Sequence, residues 1–374
     1  VPSVSVSVAG LELDPAVVVA DITIRSGRSR ADDGLSAAST TITVLSPDPS
    51  GVDVGIGDVL AIVVDGTPRF SGRIAEITRA ALEDPAGSSY TLVAVGAIAR
   101  LGRILIPLPR PAESAAARAQ AVFTAAAIPI VIEGGQGDSY MLAVMGEPGD
   151  DPVSASELIG GLMADTGAVV ADRGDGTVLV QFLDSRISAD VWAPDPERTH
   201  VDLEWEQSDD LVNEIVVDWP GGAPVTSSSP GSVTRYDRHS VKLSTGLGSH
   251  AAALQRGSSI IARLAFPSWQ VGRVETWDSG ILAHGIGALI TLEPLPGSSP
   301  VPGSSWIGVL EGWIESYGPD AYGNLAGSWE LAISDRQHSS ETLSWANVSP
   351  ESLRWLDVNP ETSWSEAVSN ENLQ

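Results

Sequence analysis

The sequence predicts a mainly β protein with an α/β insert, in which two related β-barrel-like domains bracket a small α/β region. Three observations predict it. Hydrophobic residues make up 43% of the chain beside 38 Gly and 25 Pro, a composition that suits strands and turns and is too apolar for a disordered chain. A hairpin pattern near residue 60 returns near residue 300, and alanine-dense stretches with helical spacing lie between the two copies.

Taken in order, Val4, Val6 and Val8 alternate with serines as an opening strand, Val17 to Ile24 forms a second, and Ser39 to Leu45 a third. The run Val59-Leu60-Ala61-Ile62-Val63-Val64 predicts a strand buried on both faces. Asp65-Gly66 then turns the chain. In the return strand the apolar phase of Phe70, Gly72 and Ile74 slips by one to Ile77, as a β-bulge near Ala75-Glu76 would produce. A strand at Tyr90 to Ala94 completes a first β-domain over residues 1–100.

The α/β insert spans 101–195. Ala112 to Ala127 reads as a helix with Glu113 near its start, and Ser154 to Thr166 as another, stopped by Gly167. Val169 to Asp184 reads as strand, turn, strand. All 11 tryptophans lie at or after Trp192, which places a boundary there. The second β-domain covers 196–335, with strands at Val201 to Trp205 and Ile215 to Val217, a mobile Gly/Ser/Pro loop over Gly221 to Ser232, and a helix from Ser249 to about Phe266 with Leu254, Ile261 and Leu264 inside. Its Leu310-Glu311-Gly312-Trp313-Ile314 repeats the order of Phe70-Ser71-Gly72-Arg73-Ile74, 240 residues on, and Trp329 follows Tyr90 by 239. Residues 336–374 form a Trp-rich docking tail, in which Trp345, Trp355 and Trp364 are the interface candidates. Ser349-Pro350 and Asn359-Pro360 predict short helical turns there.

Composition also excludes. With no cysteine there is neither disulfide nor thiolate metal site. The net charge of −27, from 48 acidic against 21 basic residues, repels phosphate and argues against specific nucleic-acid binding. No apolar run is long enough to span a bilayer, so no stable membrane insertion is expected, and assembly in a cytoplasm is. Gly137-Asp138-Ser139 with Asp335 and His338 matches a hydrolase pattern only in outline, because Gly146, Pro148 and Gly149 break the helix that should follow such a serine. His200, His239, His250, His284 and His338 show no His-x-x-x-His pair, and the single Glu-x-x-His pair, Glu197 with His200, follows Pro194 and Pro196 in a linker-like stretch. The sequence therefore assigns no catalytic, cofactor or metal residue and predicts a non-enzyme.

Gly57-Asp58-Val59, Phe70-Ser71-Gly72-Arg73-Ile74 and Leu211-Val212-Asn213-Glu214-Ile215, in this domain order, resemble bacteriophage tail hub proteins. The ending from Ser344-Trp345 to Ser363-Trp364 looks like those of minor tail proteins from phages of actinobacteria. The resemblance implies a structural, baseplate hub-like protein at the virion tail tip. It further implies a homotrimer whose six barrels make a pseudo-six-fold ring, joining the tail tube to the tip around a channel that DNA passes without specific binding. Partners by the same resemblance are the tail tube or distal tail protein, other tip or fibre proteins and the tape measure protein. The alternatives are a carbohydrate-binding tail or surface β-protein, whose tryptophans should line an open groove, and then a serine hydrolase acting through Ser139.

Overall fold

The computed structural model describes residues 3–335 apart from 14–17, 29–33, 48–52, 84–85, 183–190, 202–204, 208–210, 268, 272, 296–304 and 320–324. The protein is mainly β, built on one large curled half-barrel sheet. Its first part comprises β1 (Val4–Val8), β2 (Val18–Gly27), β3 (Ser39–Ser46), β4 (Val59–Val64), β5 (Thr67–Glu83) and β6 (Ala86–Val95). The turn between β4 and β5 has positive φ at both Asp65 and Gly66 (48° and 78°), the backbone that matches the twist of a two-residue hairpin. Pairing of β5 with β6 skips from Ile74 to Glu76, so the expected bulge is present. The run at 59–64 is buried on one face only: Leu60, Ile62 and Val64 are fully enclosed, whereas Val59 is 41% exposed. An unbroken apolar run carries no phase, and here the outer face is covered only in part.

The middle of the chain supplies α1 (Ala115–Ala125), β7 (Ile130–Glu133), α2 (Ala155–Thr166), β8 (Val169–Asp172) and β9 (Val178–Gln181). Ser114 and Ser154 cap the two helices by accepting from the N–H groups of Ala117 and Glu157, and Gly167 ends α2 in the left-handed region. Glu113 lies before α1, in a short strand, and its carboxylate binds Arg110 and Arg118 at 2.8 and 3.1 Å. The three strands form a separate sheet in the order β7-β9-β8.

Next come β10 (Glu214–Asp218), β11 (Val225–Ser228), β12 (Ser240–Ser244) and α3 (His250–Leu264). The stretch expected as a mobile loop contains β11, because Val225 and Ser227 point inward and the strand pairs with β10. In α3 the inner face is Ala252, Ala253, Gly257, Ile260 and Ile261, while Leu254 is 43% exposed. The small residues face β10 and β11: a Cβ on Gly257 would lie 2.7 Å from Ser227 Oγ and 3.3 Å from Val217. Of the residues the sequence placed inside, Ile261 is buried and Leu264 packs against the core, while Leu254 faces outward and the small residues Ala252, Ala253 and Gly257 went unrecognised. Residues 212–266, assigned by sequence to the second β-domain, share one core with residues 97–182.

The chain closes with β13 (Val274–Thr276), β14 (Leu289–Leu292), β15 (Trp306–Pro319) and β16 (Leu325–Asp335). These do not form an isolated sheet. β15 pairs with β2, so the large sheet runs without a break from Thr199–Val201 through β13, β16, β15, β2, β3, β6, β5, β4 and β1 to Leu11–Glu12. One core serves both halves, from Val6 to Leu331.

Candidate assembly interface

The two halves repeat one another at the level of single hydrogen bonds. In the first, Gly57 N–H donates to the Ile74 carbonyl (2.8 Å) and Ile74 N–H to that of Asp58 (2.9 Å). In the second, Gly287 N–H donates to Leu310 (2.7 Å) and Leu310 N–H to Ala288 (2.8 Å). Gly57 and Gly287 both have positive φ, 92° and 88°. The pairings Ile62 with Phe70 and Leu60 with Gly72 match Leu292 with Trp306 and Ile290 with Gly308. Each copy skips one residue directly after, at Ala75 and at Glu311.

This fixes the true register of the repeat. Phe70, Gly72 and Ile74 correspond to Trp306, Gly308 and Leu310, not to Leu310, Gly312 and Ile314 as the sequence pattern suggests. The slip has a physical origin. Gly72 and Gly308 each lie beneath the aromatic ring two residues earlier, where a Cβ would strike Phe70 or Trp306. Gly312 instead is needed where β15 crosses β2, because its Cβ would meet backbone of Ser26 and Arg28 at 2.5 and 2.7 Å. Only in the following strand does the sequence register hold: Tyr90 opposite Arg79 is the counterpart of Trp329 opposite Glu315.

The seam between the copies is sealed by two buried ion pairs. Glu311, the bulge residue, binds Arg28 at 2.8 Å with both side chains under a tenth exposed. Glu315 is wholly enclosed and accepts from Arg69 Nη2 at 2.8 Å and Nε at 3.0 Å. Trp313 Nε1 donates to Glu315 at 3.2 Å, the Tyr317 hydroxyl donates to it as well, and the Arg69 guanidinium lies 5.2 Å from the Trp313 ring. Burial pushes the Tyr317 hydroxyl far above its ordinary pKa, with the Glu315 charge adding to the effect, so it stays a donor. The insert docks on the same place: Val169 and Ala171 of β8 pack with Ile286 against Trp313. Asp172 accepts from the N–H groups of Ala38 (2.8 Å) and Ile98 (3.0 Å), tying the insert to the first half. Burial raises its pKa despite those bonds.

Of the predicted site residues, Trp345, Trp355 and Trp364 lie outside the described residues, as does His338. Ser139 Oγ donates to the Gln136 carbonyl at 2.8 Å from a single helical turn, Gln136–Ser139. No cluster of three or more metal-ligating side chains occurs among the described residues, and no helix among them is long and apolar enough to cross a membrane. Trp306, Trp329 and Trp192 are core residues instead of groove walls. Asn213 is fully buried, where its amide donates to Ser232 and to the Asp237 carbonyl and its oxygen accepts from His239 N–H. Sequence reasoning missed Arg28, Arg69, Glu311 and Glu315. The available signal was an acid inside an apolar run, Val309-Leu310-Glu311-Gly312-Trp313.

The architecture is that of phage tail proteins. The tail protein from Neisseria meningitidis MC58 superposes with a TM-score of 0.62 at 14% identity, over 89% of this chain and 97% of that one. The 43 kDa tail protein of prophage MuSo2 from Shewanella oneidensis gives 0.59 at 12% identity, over 90% and 98%. The prophage tail protein gp18 from Listeria monocytogenes EGD-e gives 0.56 at 11% identity, over 92% and 98%. No family model matches the sequence. No curated protein matches it either.

Proposed function

We propose that this chain is a structural tail-tip hub protein of a bacteriophage, acting as a homotrimeric ring between the tail tube and the tip. The observation that carries the reading is the internal repeat fused into one sheet, in a chain whose fold follows tail proteins over nearly their whole length. Two equivalent halves per subunit give three subunits six similar units, so a three-fold tip can meet a six-fold tube by approximate equivalence. In this reading the two halves of the large sheet supply the β-domains, residues 97–182 and 212–266 together form the region packed beside them, and 336–374 are a tail whose Trp345, Trp355 and Trp364 dock on a neighbouring tail subunit. DNA passes the ring without being held. No catalytic role is assigned. Native mass measurement of the purified chain tests the reading: a trimer is expected, and a chain that is monomeric both alone and within the assembled particle overturns it.

A further inference from the structure

Two neighbouring strands of the large sheet leave it side by side and run straight into prolines. Val191–Trp192 lies parallel to β14, with Trp192 opposite Ile290. The chain then continues to Pro194 and Pro196 after the first strand and to Pro294 after the second. A proline has no N–H to give to a ladder, so the pairing stops there. Between the two segments, with Thr199 and Val201 as a further wall, lies an open groove of about 200 Å³. Leu292 and Pro194 in its lining are buried, Val201 and Leu295 pack at the margin of the core, and Pro196, Glu293 and Pro294 are exposed. An apolar cavity of roughly 150 Å³ takes a benzene ring, so this groove has room for an indole. Proline faces stack on aromatic rings, the pairing that proline-rich peptides use in reverse, and walls this rigid need little ordering on binding.

The chain carries such rings beyond Asp335, and three features of its sequence select Trp355 among them. The first is reach. Trp345 lies ten residues after Asp335 and Trp355 twenty, distances of ~33 and ~66 Å at full extension. A compact body of this length is on the order of 50 Å across, so Trp355 can clear its own subunit and Trp345 cannot. The second is charge: Arg354, beside Trp355, is the only Lys or Arg after Arg336, and the groove has Glu293 exposed in its lining. An exposed pair of this kind sets position more than affinity. The third is apolar company. Leu353, Leu356 and Val358 surround Trp355, whereas Trp364 stands between Ser363 and Ser365.

We propose that the groove between Pro194–Pro196 and Leu292–Leu295 receives Trp355 from the C-terminal tail of a neighbouring copy, with Arg354 beside Glu293. This inference rests on the trimeric reading and gives the tail a surface. Each copy offers one tail and one groove, so three copies make three contacts with none left over, a head-to-tail arrangement that closes.

The chain has no cysteine, so introduced pairs report the contact. Two full-length variants, Pro196→Cys and Leu356→Cys, are co-expressed and mildly oxidised. A covalent dimer joining the two is expected on non-reducing electrophoresis, and neither variant alone should give one. Adding Trp355→Ala to the tail variant should lower the cross-linked fraction by roughly tenfold or more. Arg354→Glu should lower it as well, and Glu293→Arg in the groove variant should restore it. Glu293→Cys replaces Pro196→Cys should the latter impair folding, which circular dichroism reveals. A trimer by native mass in which neither groove variant cross-links overturns the docking and leaves the trimeric reading standing. Cross-links confined to single chains of the double variant Pro196→Cys with Leu356→Cys put the tail on its own subunit and overturn the neighbour as its source. A cross-linked fraction unchanged by Trp355→Ala overturns the choice of anchor. A protein that stays monomeric at every concentration and forms no cross-link overturns both the docking and the trimer.

Discussion

Glu315 shows how much of this fold depends on a few polar groups placed where water cannot reach. A carboxylate at zero exposure is tolerated because Arg69, Trp313 and Tyr317 all donate to it. Removing one partner should leave the other charge buried and alone, so Glu315→Ala is expected to cost about 3–5 kcal/mol, measured by urea unfolding. The double variant Arg69→Met with Glu315→Leu should recover only part of that loss, since it removes the lone buried charge but leaves the Trp313 N–H and the Tyr317 hydroxyl without their acceptor. Asp172 makes a different case. Its two oxygens accept from Ala38 and Ile98, so Asp172→Asn turns one acceptor into a donor facing an N–H and should cost about 1–3 kcal/mol. The pH dependence has a definite sign. Because burial raises the folded pKa above the unfolded one, the native state binds this proton more readily, and the wild type gains stability from this group as pH falls. The deficit of Asp172→Asn should therefore widen as pH falls from neutral through that raised pKa toward the ordinary carboxylate value. A deficit that narrowed over the same range would show that Asp172 is not held at a cost.

At the scale of elements, the pattern-bearing parts were legible and the contacts between distant parts were not. Caps and stops fixed α2 within a residue: Ser154 starts it, Gly167 ends it. The slip of phase after Ile74 announced the bulge. Chain reversal at Asp65-Gly66 needed only turn chemistry. By contrast, the apolar run at β4 gave no phase, and in α3 the sequence found Ile261 and Leu264 but put Leu254 inside in place of Ala252, Ala253 and Gly257, small residues that hydrophobicity alone does not favour. The repeat was seen, but aligned on Gly312 because glycines match glycines in a string. Which glycine lies under the ring before it depends on the fold. Gly72 and Gly308 then differ in one useful way. A Cβ at Gly72 would strike the backbone carbonyl of Val95, which cannot move without the strand, whereas at Gly308 it would strike the side chains of Ile333 and Trp306. Gly72→Ala is thus expected to destabilise by about 1–3 kcal/mol, and Gly308→Ala by less. Thermal or urea unfolding of the two variants decides it, and equal losses would mean that the two strands have equally compliant surroundings.

For the whole molecule, the net charge of −27 and the placement of the arginines point the same way. Arg28, Arg69 and Arg118 are enclosed in ion pairs with acids of the same chain, so their charge is already matched and turned inward. Since affinity for duplex DNA grows with each phosphate contacted, a surface this acidic should show no measurable binding at physiological salt in a mobility-shift assay. Binding at that salt would contradict a channel that lets DNA slide. The proposed docking of the Trp-rich end belongs to the same scale. The cores of the described residues are complete by Ile333, with Leu331 and Trp329 already enclosed. The sequence of 344–374 offers Trp345, Trp355 and Trp364 at spacings of ten and nine, interrupted by Pro350 and Pro360, with few aliphatic residues among them. That spacing is too long for adjacent helical turns and suits successive pockets along a path. Anchors of this kind commonly contribute ~2 kcal/mol or more each when fully buried at an interface. Deleting residues 344–374 is therefore expected to leave the unfolding transition of the remaining chain in place while abolishing incorporation into tails. A truncated chain that enters particles at the normal level ends the docking role, and one that no longer folds shows that the tail packs on its own subunit.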